Sequence, residues 1–252
     1  MVEGSSIEKL LPVDLNRSLT DTIYERLVDA IATDKLPPGA RLNQRDLAEQ
    51  LMVSRQPVSH ALHRLKASGL ATETGRKGLV VAPVDPLRLR DLYELRTEIE
   101  GLVAARAAAN IHAGTAAPAD RERLVQLIAF GAGISENTSV LDCILADVEF
   151  HLCLYRLCGS AVVSEAIAPL WPHFRRSMGK ALSIYNHRMV SWEGHNAIAR
   201  AVLGGDPEAA RQAARRHIEI AGREALRTIG SLPPAAPTKT TGTNAKARSH
   251  IH

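Results

Sequence analysis

The sequence predicts a mainly α protein in two parts: a small N-terminal helical unit closed by a β-hairpin, then a C-terminal all-α antiparallel helical bundle. Three observations lead there. The 252 residues are enough for one large domain or two modest ones. Aromatic residues are only 4% of the chain, Ala and Leu abound, and β-branched runs are few, a composition that leans towards helix. Finally, the joint Ala82-Pro83-Val84-Asp85-Pro86 separates two textures. Upstream lie short helical patterns and one β-like stretch; downstream the helical period continues almost unbroken to about Gly230. The expected divisions are an N-terminal extension (1–17), a first domain (18–84), a second domain (85–230) and a tail (231–252). The tail is rich in Pro, Thr, Ala and Lys with little to bury, so disorder is expected there.

In the first domain, a helix over 19–33 places Ile23, Leu27, Val28 and Ile31 on one face, and Pro37-Pro38-Gly39 stops it. A second helix over 43–51 buries Leu47, Ala48 and Leu51. A short turn, Met52-Val53-Ser54, leads to a third helix over 55–68, with Ser54 placed to cap it and Pro57 harmless in its first turn. Residues 70–74 and 79–82 then bracket Gly75-Arg76-Lys77-Gly78 as a hairpin with a basic tip. Helix, turn, helix and basic hairpin make a winged helix-turn-helix.

Charge supports that reading locally rather than globally. The net charge of +4 divides into +1 over 1–84, zero over 85–230 and +3 in the tail. Within 54–78, however, Arg55, Arg64, Lys66, Arg76 and Lys77 face Glu73 alone, a patch suited to phosphates. Val58, Leu62 and Leu65 anchor the third helix, leaving Arg55, Gln56, Ser59, His60 and His63 free to enter a major groove. The wing tip is expected to reach phosphates or the minor groove. The plainer alternative is a surface helix with solvated charges; the wing favours DNA.

The run LPPGARLNQRDLAEQLMVSRQPVSHALHRLKASGLATETGRKGLVVAPV resembles the DNA-binding domain of GntR-type bacterial regulators. The resemblance implies operator contacts by Arg45, Arg55, Gln56, Ser59, Gly75 and Arg76. Ser59 departs from the Arg common among relatives, which puts the operator preference in question. DLYELRTEIEGLVAARAAA, DVEFHLCLYRLCGS and HNAIARAVLGGDPEAARQAARRHI resemble the helical ligand-binding (FCD-type) domain of the FadR branch. Six helices are expected there, over 86–110, 119–133, 139–158, 161–185, 187–203 and 207–229, which resembles the VanR-type subgroup.

Four residues of this second domain carry a chemical reading of their own. Asp147 and His151, four apart, share one helical face. His195 and His217 flank the turn Gly204-Gly205-Asp206-Pro207 at nearly equal distances, so an antiparallel hairpin brings them side by side. One carboxylate and three imidazoles make a divalent-metal site, for zinc first, with nickel or manganese also acceptable. The plain alternative is that these are unrelated core or surface residues. Arg96 precedes Glu100 by one helical turn, which by itself reads as a surface ion pair; the resemblance implies instead that it grips the carboxylate of a small organic acid effector. Arg175 and Arg176 are weaker candidates for the same role, and His173, beside Pro169 and Pro172, for an extra pocket residue.

The expected function is a DNA-binding transcription factor, a repressor acting as a homodimer on a palindromic operator, modulated by a carboxylate bound beside the metal. No enzymatic activity is expected. A metal-dependent hydrolase with an accessory DNA-binding domain and a pure metal sensor are the alternatives. Against the hydrolase, no nucleophile motif or placed general base accompanies the ligands. No stretch of about 18 uncharged apolar residues exists for a membrane span. With no evident secretory signal, three cysteines (Cys143, Cys153, Cys158), an odd, sparse set without paired metal spacing, point to a reducing, cytoplasmic setting.

Overall fold

The computed structural model describes residues 18–75 and 78–230. The N-terminal extension, the tail and Arg76 therefore lie outside the described residues. In the first lobe, α1 (Leu19–Ala32) opens with a capping box, in which Ser18 and Asp21 satisfy each other's exposed backbone amides. The helix-turn-helix pair follows as α2 (Gln44–Leu51) and α3 (Arg55–Ala67). Ser54 occupies the N-cap position of α3, but its hydroxyl makes no capping bond. Gln44 Nε2 instead ties the pair by donating to the Arg55 carbonyl at 2.8 Å. Strands β1 (Ala71–Thr74) and β2 (Gly78–Val81) pair antiparallel with Ala71 opposite Val81, and Arg41 bridges to Val80 on the free side of β2. Ile23, Leu27, Val58, Leu65 and Val81 belong to the core of this lobe.

The second lobe contains α4 (Pro86–His112), α5 (Pro118–Ala132), α6 (Val140–Cys158), α7 (Ala161–Ile167), α8 (Trp171–Ala181), α9 (Tyr185–Leu203) and α10 (Pro207–Gly230). Asp85 caps α4, accepting from the Leu87 and Arg88 amides with Pro86 in the first helical position. The single helix expected over 161–185 is divided. A 3-10 turn at Ala168–Leu170 separates α7 from α8, because Pro169 and Pro172 each remove a backbone donor. So the expectation of six helices undercounted this lobe by one short segment. Cys143, Cys153 and Cys158 are buried and unpaired in its core.

The lobes meet along α8. Its residues reach α1, the end of α3 and the residue after β2, and Ala32 at the end of α1 packs into the core cluster of the bundle.

Candidate functional site

Helices α4, α6, α9 and α10 each deliver a polar side chain to the interior of the bundle. Asp147 and His151 lie on one face of α6, and the α9–α10 hairpin brings the His195 and His217 rings to 4.5 Å between centroids. His195 Nε2 stands 3.5 Å from Asp147 Oδ2, and His151 Nε2 stands 3.7 Å from Asp147 Oδ1. The ligand nitrogens of the three histidines lie within 4.8 Å of one another. Phe150 stacks on His195 at 4.2 Å and holds its ring. At Gly194 an added Cβ would collide with His217 Nδ1, so glycine there is what lets the His217 ring approach α9.

The chemistry of this cluster fits a divalent ion. Both nitrogens of His195, His151 Nε2 and Asp147 Oδ1 are buried without a hydrogen-bond partner among the described residues. Buried polar atoms are nearly always satisfied, so several of them at one point make a donor set suited to an ion. Ligand atoms each about 2.1 Å from a zinc ion stand roughly 3–3.5 Å apart, close to the 3.5 and 3.7 Å that separate Asp147 from His195 and His151. Burial, reinforced by neighbouring imidazoles and Arg96, holds His195 and His217 well below the ordinary imidazole value. Both are therefore neutral near pH 7, with lone pairs free to ligate. Burial pushes the Asp147 carboxyl up, against the opposing pull of His151 and Arg96.

Behind the cluster stands a polar group that sequence reasoning identified only in part. Arg96 and Glu100 do form an ion pair, at 3.3 Å, but both are fully buried rather than on the surface. Glu100 Oε2 lies 3.0 Å from His151 Nδ1, and the Tyr155 hydroxyl donates to Glu100 Oε1 at 2.6 Å. Burial raises the Glu100 carboxyl, but His151, Arg96 and Tyr155 outweigh it and bring it down to about 2. Glu100 is thus a carboxylate set against the His151 imidazole, an arrangement that is common behind metal-ligating histidines. Spacing gave no hint of this, since Glu100 and His151 come from different helices. Gly194 was detectable in principle, as a helix-weakening residue in mid-helix beside a histidine.

The Arg96 guanidinium lies over the Trp171 and Phe174 rings at 4.8 and 4.7 Å, and its Nη2 has no hydrogen-bond partner among the described residues. Arg96, Asp147 and His217 share a pocket of about 420 Å³, whose other walls include Met178, Val190 and Ile220. Three sequence expectations are corrected here. Arg175, Arg176 and His173 take no part in this pocket. Arg175 pairs with Glu25 and Asp29 of α1, Arg176 donates to the Ala82 carbonyl, and His173 Nε2 meets the Ser68 carbonyl. All three turn towards the first lobe instead.

On the first lobe, Arg45, Arg55 and Gln56 are exposed. Arg45 and Arg55 flank one shallow depression with Met52 between them. Ser59 and Gly75 line a separate groove between α3 and the wing, where Gly75 turns with φ of +61°. Arg41 lines that groove too, a cation that the sequence reading did not single out.

The GntR family of bacterial regulatory proteins matches residues 19–81, and the FCD domain family matches residues 91–220, more than half of the chain. The chain belongs to the GntR family, with an FCD domain. This GntR regulator is 30% identical over 202 residues to an HTH-type transcriptional regulator in an unstable DNA locus of Streptomyces ambofaciens. That match covers 78% of this chain and 80% of the relative. It is 34% identical over 85 residues to an HTH-type regulator of Agrobacterium vitis, a match spanning 34% of this chain and half of that relative's length. In fold it resembles Escherichia coli McbR, with a TM-score of 0.69 at 24% identity over 81% of this chain and 94% of that one. The matched families are those of DNA-binding transcriptional regulators rather than enzymes, and no described helix is long and apolar enough to cross a membrane.

Proposed function

We propose that this GntR regulator is a ligand-responsive repressor that binds a palindromic operator as a homodimer in the cytoplasm, releasing it when a small organic acid enters the pocket of the bundle. The observation that carries this reading is a set of buried polar atoms without hydrogen-bond partners among the described residues, on Asp147, His151, His195 and Arg96, next to a pocket that Asp147, His217 and Arg96 themselves line. Asp147, His151, His195 and His217 would hold a divalent ion, zinc first, with nickel or manganese suited to the same donors. When bound, such an ion offers a Lewis-acidic position for an oxygen ligand. Arg96 supplies a second, oriented cation, kept from collapsing onto the ligand set by its seat on Trp171 and Phe174. A planar guanidinium facing a metal site suits a carboxylate, which can present one oxygen to each.

On the DNA side, Arg55 and Gln56 at the start of α3 read base edges, Arg45 and the wing residues Gly75 and Arg76 serve the backbone, and Ser59 leaves part of the groove open. Two recognition helices on a two-fold axis match a palindrome. The experiment has two arms. Duplexes selected from a random pool by the full protein should share a palindrome, and Arg55→Ala should lose about 1–3 kcal/mol on the selected site with relaxed sequence choice. Calorimetric zinc titration should show one site per chain in the wild type and loss of that site in His195→Ala. Equal binding by both proteins in either arm refutes the corresponding half of the reading.

A further inference from the structure

Helix α8 has two faces with different business. One face turns to the buried site: Met178 and Ala181 line the pocket, Trp171 and Phe174 carry the Arg96 guanidinium, Trp171 sits 5.9 Å from the His151 ring, and the Tyr93 hydroxyl meets Ser177 at 2.9 Å. The other face grips the DNA-binding lobe. Arg175 forks between Glu25 (2.6 Å) and Asp29 of α1, and Lys180 faces Asp34 at 3.7 Å. His173 meets the Ser68 carbonyl at 2.8 Å, and Arg176 donates to the Ala82 carbonyl at 2.5 Å. The tightest point is Gly179. A Cβ built there would fall onto the carbonyl oxygen of Ala32, so the end of α1 rests directly on the backbone of α8.

We propose that α8 is the element that couples the pocket to the DNA-binding lobe, with Gly179 and Arg175 as the positioning residues that set how that lobe sits. The sequence suggests only one connection between the lobes, the Pro83–Pro86 joint; the fold supplies a second, made of side chains. The two faces belong to one rigid helix of eleven residues, so a displacement of Trp171 or Phe174 on the pocket side is passed to Arg175 and Gly179 on the other. The contact path is short: His151 to Trp171 directly, and His151 through Glu100 and Arg96 to Trp171 and Phe174. Both linked states must differ in affinity for the occupant for any coupling to exist.

The proposal rests on the pocket reading above, and the test separates the two. The full-length protein is compared as wild type, Gly179→Ala, Arg175→Gln and Arg175→Lys, with and without saturating zinc as the probe. Zinc affinity is read by calorimetry and the seat by hydrogen exchange of α1 and α8 amides. Gly179→Ala and Arg175→Gln should bind zinc within about twofold of wild type while exchanging faster along the end of α1, and Arg175→Lys should recover part of the protection. In the wild type, zinc should change exchange at the seat by about fivefold or more, the lower end of ordinary coupling. In Gly179→Ala that response should vanish. Unchanged protection in both Gly179→Ala and Arg175→Gln would overturn the seat. A wild-type seat that ignores bound zinc would overturn the coupling. Absence of zinc binding to the wild type would refute the metal reading and the coupling through it, leaving the seat to be judged by the variants alone. Should Gly179→Ala not fold, Arg175→Gln and its lysine partner carry the same comparison.

Discussion

Single side chains decide the candidate site through what they exclude as much as through what they supply. His217 reaches the ligand cluster only because Gly194 has no Cβ. Gly194→Ala should therefore behave as a ligand mutation without touching a ligand. We expect zinc affinity to fall by about 10–100-fold, the range seen when supporting residues of metal sites are lost. Zinc titration of a folded Gly194→Ala protein checks this, and affinity equal to wild type would mean that His217 is not a ligand. A second residue-scale expectation concerns the turn between α2 and α3. Met52 sits there in the left-handed region at φ of 54° and is 91% exposed, so its strain is not offset by burial. A left-handed non-glycine residue costs roughly 1–2 kcal/mol, part of which glycine returns through its greater unfolded-state entropy. Met52→Gly should raise the thermal midpoint by about 1–4 °C. A lowered midpoint would show that the exposed side chain makes stabilising contacts.

At the scale of elements, the winged lobe presents a groove as well as a helix. On the proposed docking, with α3 in the major groove and the wing in the minor groove, the phosphate ridge between them would lie in the groove between α3 and the wing. That groove is lined by Arg41, Ser59, His63 and Lys66. Lys66 is engaged with Glu73 at 2.5 Å, which leaves Arg41 as the cation best placed to meet a phosphate. Arg41→Gln should weaken binding evenly across duplex sequences and lower the salt slope by about one. An unchanged slope, measured on mixed-sequence duplex at several salt concentrations, would remove Arg41 from the interface. Arg55→Ala, by contrast, should alter sequence choice. The two side chains would thus divide affinity from specificity, although both belong to one small lobe.

Across the whole molecule, a bound ion would tie α6 to the α9–α10 hairpin, because its ligands come from all three helices. Stripping it should loosen the bundle by mass action. For zinc at a hundredfold excess over its Kd the contribution is about 2.7 kcal/mol, which at roughly 2–4 °C per kcal/mol corresponds to a midpoint some 5–10 °C higher than in chelator. Differential scanning calorimetry with zinc and with chelator reads this directly, and coincident traces would exclude a bound structural ion. The three cysteines offer a control on the same core. They are buried, and burial pushes the Cys153 thiol up to about 11. Alkylation at pH 8 should leave all three unmodified in the native protein and modify them after unfolding, whereas rapid native modification would mean the bundle opens.

Much of this molecule was legible in one dimension because the signals are local. Apolar period, proline joints and caps mark most helix bounds to within a residue or two, and nearly equal arms about Gly204-Gly205 bring His195 and His217 together. Where two prolines fall three apart, the continuous helical period over 161–185 misled, since backbone donors rather than side-chain pattern end a helix. What lay beyond the sequence is every pairing between distant segments: Glu100 against His151, Arg96 on Trp171 and Phe174, and Arg175 turned away from the pocket towards α1. Helical periodicity places a residue on a face but does not say which neighbour that face will meet. That choice is made by packing, through contacts such as Gly179 on Ala32 and Gly194 on His217, where the absence of a side chain sets how closely two helices approach.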